Sequence, residues 1–325
     1  MADVAHQRDN GQEGRGRDAT TPRQIPRPGW RDIALRVKEK VGKDNVSILA
    51  AGVAFYALMA IFPALIALIS LYGWFADPMQ VEQQTAFLAG VLPQNVQSLL
   101  STQMKDIARH AESTLGIGAL AGFLVTLWSA SKGIKTLFTA LNIAYDEEEK
   151  RGFISLNALA LVMTLGALVF GIITLALVAV LPALLGQLGL QAIARVAVSL
   201  VRWPLLAVAV IVALAVLYRY GPSRDQPQWT WVSGGAIVAT VLWLVASILF
   251  SVYVANFGSY NQTYGSLGAV VVLLTWLYLS AFIVLMGAEL NSEMEHQTTQ
   301  DTTRGAEQPM GQRGAQKADT VGESP

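Results

Sequence analysis

The chain has 325 residues, zero formal net charge, no cysteine and 53% hydrophobic residues, and only 14% of it is charged, against roughly 25% in ordinary globular domains. Of its 46 charged residues, 17 lie in residues 1–47 and 9 in residues 291–325, leaving 20 across the 243 between; so few charges cannot cover a water-exposed surface of that size, and the middle reads as lipid-embedded. The missing cysteines exclude disulfides, thiolate zinc sites, iron–sulfur clusters and cysteine nucleophiles, and the charge balance weighs against a nucleic-acid binder.

Residues 1–29, rich in Gly, Pro, Arg, Asp and Gln, hold no apolar run able to bury a core and read as a disordered tail. In residues 30–47, Ile33, Ala34, Val37 and Val41 recur at helical spacing beside Arg31, Arg36, Lys38, Lys40 and Lys43. That pattern fits a basic amphipathic lead-in at a membrane surface and equally a solvated helix.

Residues 48–291 form the expected membrane domain, an all-α bundle of six transmembrane helices. The apolar segments are Ile48 to Phe75, Leu115 to Asn142, Phe153 to Leu185, Val196 to Tyr218, Trp229 to Val254 and Leu267 to Leu290, each at or above the roughly 20 residues that cross the hydrocarbon core. In the fourth, Arg202 is close enough to the end to snorkel. With six spans, 19 of the 23 Lys and Arg fall on one side, which predicts that both termini are cytoplasmic. Residues 76–114 then make one long outer loop, where Val96, Leu99, Leu100, Met104, Ile107 and Ala108 suggest an amphipathic helix. Residues 292–325 read as a second disordered cytoplasmic tail.

Polar groups inside the spans are the candidate functional residues. Pro63 interrupts the first span and predicts a kink. In the second, Ser129, Lys132 and Thr136 share a face with Lys135 beside them; a lysine there either snorkels or lines the mouth of a path for an anionic substrate. Thr240, Ser247 and Ser251 form a stripe in the fifth. In the sixth, Tyr278 and Glu289 are three turns apart on one face, and an ion pair between Glu289 and Lys132 or Lys135 is the expected structural role of that carboxylate. The loop from Asn256 to Gly265 lacks formal charge but is dense in amide, hydroxyl and aromatic groups, fit for a sugar, a headgroup or a self-satisfied turn.

Several local patterns coincide with one family. They are Phe55-Tyr56 with Pro63, Trp128-Ser129-Ala130-Ser131, Asn142 to Tyr145, and Tyr218-Arg219-Tyr220-Gly221-Pro222. A last run comprises Phe250, Tyr253, Asn256, Tyr264-Gly265-Ser266-Leu267-Gly268, Trp276-Leu277-Tyr278 and Gly287-Ala288-Glu289-Leu290. In these residues the chain resembles the YihY/BrkB family of bacterial inner-membrane proteins, long labelled ribonuclease BN, over about residues 46–291. The resemblance implies a multi-pass plasma-membrane protein without a settled activity, in a family where some members are linked to serum resistance and others look like carriers of lipids or envelope components. Metal-dependent RNA hydrolysis needs clustered ligands, whereas His6, His110 and His296 are scattered, so no enzyme, metal or cofactor is expected. Membrane lipids are the expected partners, with an anionic lipid or small solute as cargo and no nucleic acid. Two function classes remain open: a transporter or flippase-like carrier, and a non-transporting scaffold or envelope-integrity factor. The lack of midplane charges weighs against a proton-coupled pump. The sites that would carry either role are Tyr56, Pro63, Ser129, Lys132, Lys135, Asn256, Tyr264, Gly265, Tyr278 and Glu289.

Overall fold

A computed structural model describes residues 14–75, 117–175, 192–256 and 266–324. Among these the protein is helical, without a strand: α1 (Arg27–Lys43), α2 (Val46–Phe75), α3 (Ile117–Ala144), α4 (Phe153–Leu175), α5 (Ala192–Tyr220), α6 (Trp229–Asn256), α7 (Ser266–Glu295) and a single turn, α8 (Gln316–Asp319). In lipid every backbone N–H and C=O must find a partner inside its own segment, which selects helices from such apolar sequence. Four stretches, Phe153–Thr174, Trp203–Tyr220, Trp229–Ala255 and Val270–Glu295, are long and apolar enough to cross a membrane, and the α1–α2 pair adds a fifth if read as one broken span. The outer-loop helix expected over residues 96–108 lies outside the described residues.

The sharp change of direction near the start is a 63° bend between α1 and α2. It falls where Asn45 takes a left-handed conformation, φ 51°, one that asparagine tolerates better than most residues. Pro63 lies within α2, which runs on to Phe75.

Two compact units divide the chain. The first comprises Met1–Phe55, Thr136–Gly152 and Ala176–Pro325, the second Tyr56–Lys135 and Phe153–Leu175. In the second, Leu127 and Leu168 are buried together with Phe123, Leu161 and Ala64 packed around them. In the first, α6 packs against both α5 and α7, and α1 against α7. Half of its main buried cluster is alanine, including Ala50, Ala144, Ala236 and Ala288. Small side chains let helix backbones approach closely where burial of apolar surface supplies little drive.

Two helix backbones come close at Gly235 of α6 and Gly287 of α7. A side-chain carbon on Gly287 would lie 2.5 Å from the Tyr218 hydroxyl and 2.8 Å from Ala239 Cβ, and one on Gly235 would strike the Gly287 carbonyl. Asn291 fastens the same crossing: its Oδ1 accepts from the Gly235 N–H at 2.7 Å and its Nδ2 donates to the Val232 carbonyl at 3.2 Å.

The segments expected to be disordered tails are ordered wherever the structure describes them. Ala19 and Ile25 join Ile33 of α1, Trp231 of α6 and Met294 of α7 in a second buried cluster. The Arg17 carbonyl accepts from the Thr299 N–H at 2.7 Å, the His296 carbonyl from the Gly322 N–H at 2.7 Å, and an antiparallel backbone pair joins Pro227 to Thr303. Arg313 donates to the carbonyls of Thr299, Gln300, Gln308 and Ala318. Apart from Ala19 and Ile25 the cohesion is polar, so an absence of apolar runs did not signal it.

Gly287→Val should therefore cost about 1–3 kcal/mol through overpacking, read as a lower thermal midpoint in detergent. Gly52→Ala is the control: nothing lies within 4 Å of its added carbon, and its midpoint should hold or rise slightly.

Candidate functional site

The C-terminal turns of α7 carry Glu289, Glu293 and Glu295, all essentially buried. Carboxylates can be buried so close together on an apolar helix only if other segments bring cations to those that ionise. Arg36 of α1 donates from Nε to Glu293 Oε2 at 2.6 Å and from Nη2 to Gln297 Oε1 at 2.7 Å. Lys317 of α8 donates to Glu293 Oε1 at 2.7 Å and lies 2.9 Å from Asp146. Lys40 of α1 reaches Asp146 at 2.6 Å and Asp44 at 2.9 Å. Arg224 and Glu295 form a pair in which both side chains have no exposed surface, Nη2 to Oε2 2.6 Å, with Thr302 also donating to Glu295 at 2.8 Å and the guanidinium 5.2 Å above the Tyr145 ring.

The turns that follow α3 and α5 are tied to each other beside this layer. Asn142 Oδ1 accepts from the Ser223 N–H at 2.7 Å, and its Nδ2 donates to Glu149 at 3.1 Å. Arg151 donates to both Glu149 oxygens at 2.7 Å and to the carbonyls of Tyr220 and Gly221. Partial burial raises the Glu149 carboxyl, but the Arg151 hydrogen bonds outweigh it and hold the group down at about 2. At Asp146 burial likewise acts upward and is overcome by Lys40 and Lys317, leaving it below the usual carboxylate range.

A second feature of the first unit is a crevice of about 240 Å³ lined by Ala51, Ala54 and Phe55 of α2 and Leu274, Thr275 and Tyr278 of α7. The Tyr278 and Ser47 hydroxyls are hydrogen-bonded at 2.7 Å beside it. Its walls are mainly apolar, with hydroxyls from Thr275 and Tyr278.

The sequence-predicted residues are divided between the units. Tyr278 and Glu289 belong to the first; Tyr56, Pro63, Ser129, Lys132 and Lys135 belong to the second. Tyr56 and Lys132 are exposed and Ser129 half-buried. Lys135 donates to Asn157 Oδ1 at 2.9 Å and sits 4.9 Å over the Trp128 ring. Neither carboxylate oxygen of Glu289 has a hydrogen-bond partner, and the two lysines expected to pair with it belong to the second unit. Asn256 is the last residue of α6, and Tyr264 and Gly265 lie outside the described residues. Thr240 donates to the Ala236 carbonyl of its own helix at 2.8 Å and Ser251 is exposed, so their stripe is divided in environment.

A family model described as virulence factor BrkB matches residues 37–311. The chain belongs to the BrkB family. It is 30% identical over 249 residues to the ribonuclease-like protein YfkH of Bacillus subtilis, covering 75% of this chain and 88% of that one. It is 26% identical to the UPF0761 membrane protein IL2447 of Idiomarina loihiensis, covering 79% and 88%, and 28% identical to VV0203 of Vibrio vulnificus, covering 79% and 81%. No solved structure matches it. The protein is thus a membrane protein of the BrkB family, and the motifs that resembled the family acquire physical roles. Asn142 joins two turns, Tyr218 donates to the Val284 carbonyl at 2.7 Å, and Gly287 permits the α6–α7 crossing.

Sequence reasoning missed most of the ionic layer. Arg36 and Lys40 read as charges of the basic amphipathic lead-in, and Glu293, Glu295 and Lys317 as tail residues. The available signal was the periodicity of α7: Ser292 and Glu293, three and four residues after Glu289, continue its helical register past Leu290.

Removing one member of the fully buried pair should expose its cost. Arg224→Met is expected to destabilise by about 3–5 kcal/mol, and Arg224→Met with Glu295→Leu to recover most of that loss, because the single variant strands a buried charge and the double does not. Denaturation midpoints of the purified variants check this.

Proposed function

We propose that the protein is a carrier, of transporter or flippase type, that moves a lipid, an envelope component or a small solute across the bacterial inner membrane. In this reading α2 to α7 are six spans and both termini are cytoplasmic, with the ionic layer at the cytoplasmic end. The observation that carries it is the α2–α7 crevice, whose apolar walls suit an acyl chain and whose Thr275 and Tyr278 hydroxyls give polar contacts to a headgroup or solute. Anionic cargo is favoured by the excess of Lys and Arg assigned to the cytoplasmic side.

We take the protein to be non-enzymatic. The ribonuclease-like name belongs to the Bacillus relative; in this chain His296 is occupied with Glu293 at 3.3 Å, and among the described residues no group of three or more His, Asp or Glu could hold a metal. A non-transporting envelope-integrity factor is the second reading, favoured by the density of fixed polar contacts joining the two terminal segments.

Reconstituted vesicles separate the two. The wild-type protein should speed equilibration of a headgroup-labelled phospholipid or release of a trapped anionic solute. Ala51→Trp, which places a large ring at an exposed crevice position, should slow it by about tenfold, equivalent to about 1.4 kcal/mol on the barrier, while eluting as the wild type does. Vesicles with wild-type protein that behave as empty ones for both cargoes would rule out the carrier reading.

A further inference from the structure

Glu289 differs from the other carboxylates at its end of the protein. Glu293, Glu295 and Asp146 each have a cation within 2.6 to 2.7 Å. Glu289 has no exposed surface, and neither Oε1 nor Oε2 accepts a hydrogen bond.

The charged and titratable groups around it come from every neighbouring segment. Lys40 and Asp44 approach from α1 and the residue after it, Lys317 from α8, and Glu293 from the next turn of α7; Tyr145 approaches from the turn after α3. Both lysines are already engaged, Lys40 with Asp44 and Asp146 and Lys317 with Asp146 and Glu293. With Arg36 on Glu293, three cations face three carboxylates, and the layer is neutral before Glu289 is counted. His296 sits against Glu293, on the far side of that balance. An ionised Glu289 would add one uncompensated negative charge in a place that gives it no donor, and an unpaired buried ion is costly enough that such a group neutralises instead.

We propose that Glu289 is a buried proton-binding site, its carboxyl protonated at neutral pH and able to release the proton only when Lys40 or Lys317 leaves Asp146 to face it. On release the carboxyl O–H bond breaks, the electron pair stays on the carboxylate and the proton passes to water; the displaced lysine pairs with the new carboxylate, and the negative charge the layer gains is left on Asp146. Asp146 is the solvent-facing member of the layer, its side chain 42% exposed, so it loses a cation partner at the least cost. The ligand of the site is the proton. The site does not rest on the carrier reading: a protein that moved nothing across the membrane would still hold this proton.

Infrared difference spectroscopy of the full chain in nanodiscs tests it. A protonated-carboxyl C=O band should be present at neutral pH, vanish in Glu289→Gln, shift in Glu289→Asp and survive in Asp146→Asn. Glu289→Gln should keep the wild-type thermal midpoint or raise it, since an amide copies a neutral acid in size. Should Glu289→Gln not fold, the shift in Glu289→Asp reads the same assignment. A spectrum at neutral pH that neither variant alters, or a Glu289 band lost in the ordinary carboxylate range near pH 4 to 5, would overturn the proposal.

Discussion

An apolar helix that ends in three buried carboxylates must be met by as many cations as it ionises, and this electrostatic demand organises one whole end of the protein. Glu293 draws Arg36 from α1 and Lys317 from the C-terminal segment; Glu295 draws Arg224 from the turn after α5. Asp146, placed by the left-handed turn that ends α3, shares Lys40 and Lys317 with them. Separately each pair is of uncertain net value, because desolvation offsets attraction. Jointly they fix which segments meet, because each buried carboxylate that ionises takes its cation from another part of the chain.

Close backbone packing is the second constraint, and it makes the first possible. Gly235, Gly287 and the surrounding alanines bring α6 against α7, and Asn291 then reaches the first turns of α6. Those turns hold Trp231, which with Met294 forms the floor on which Ala19, Ile25 and Ile33 pack. The terminal segments therefore rest on a small apolar cluster and are held over it by arginine-to-carbonyl bonds, Arg17 and Arg313 contributing most of them.

The long helices were legible in the sequence because lipid leaves a coarse signature, some twenty apolar residues at a time; the described helices begin within four residues of the apolar segments that predicted them. The terminal segments were not. A composition of Gly, Pro, Gln and Arg lacks the apolar surface on which a core is normally predicted, and hydrogen bonds from arginine to distant carbonyls leave no periodicity to read. Among the candidate sites, Glu289 and Tyr278 were visible as polar residues on an apolar helix. The lysines assigned to Glu289 belong to the other unit, where Lys135 has Asn157 and Trp128 as partners. The family match runs from Val37 to Gly311, so Arg36 and Lys317, which together hold Glu293, fall outside it.

If buried charge pairing holds the terminal segments in place, hydrogen exchange on the full-length protein in nanodiscs tests that directly. The amides of Thr299 and Gly322 should be strongly protected in the wild type, and Glu293→Gln, which removes the charge shared by Arg36 and Lys317, should release residues 14–25 and 297–322 together while the interior of α7 keeps its protection. Exchange of both segments at free-peptide rates in the wild type, or protection unchanged by Glu293→Gln, would contradict the account.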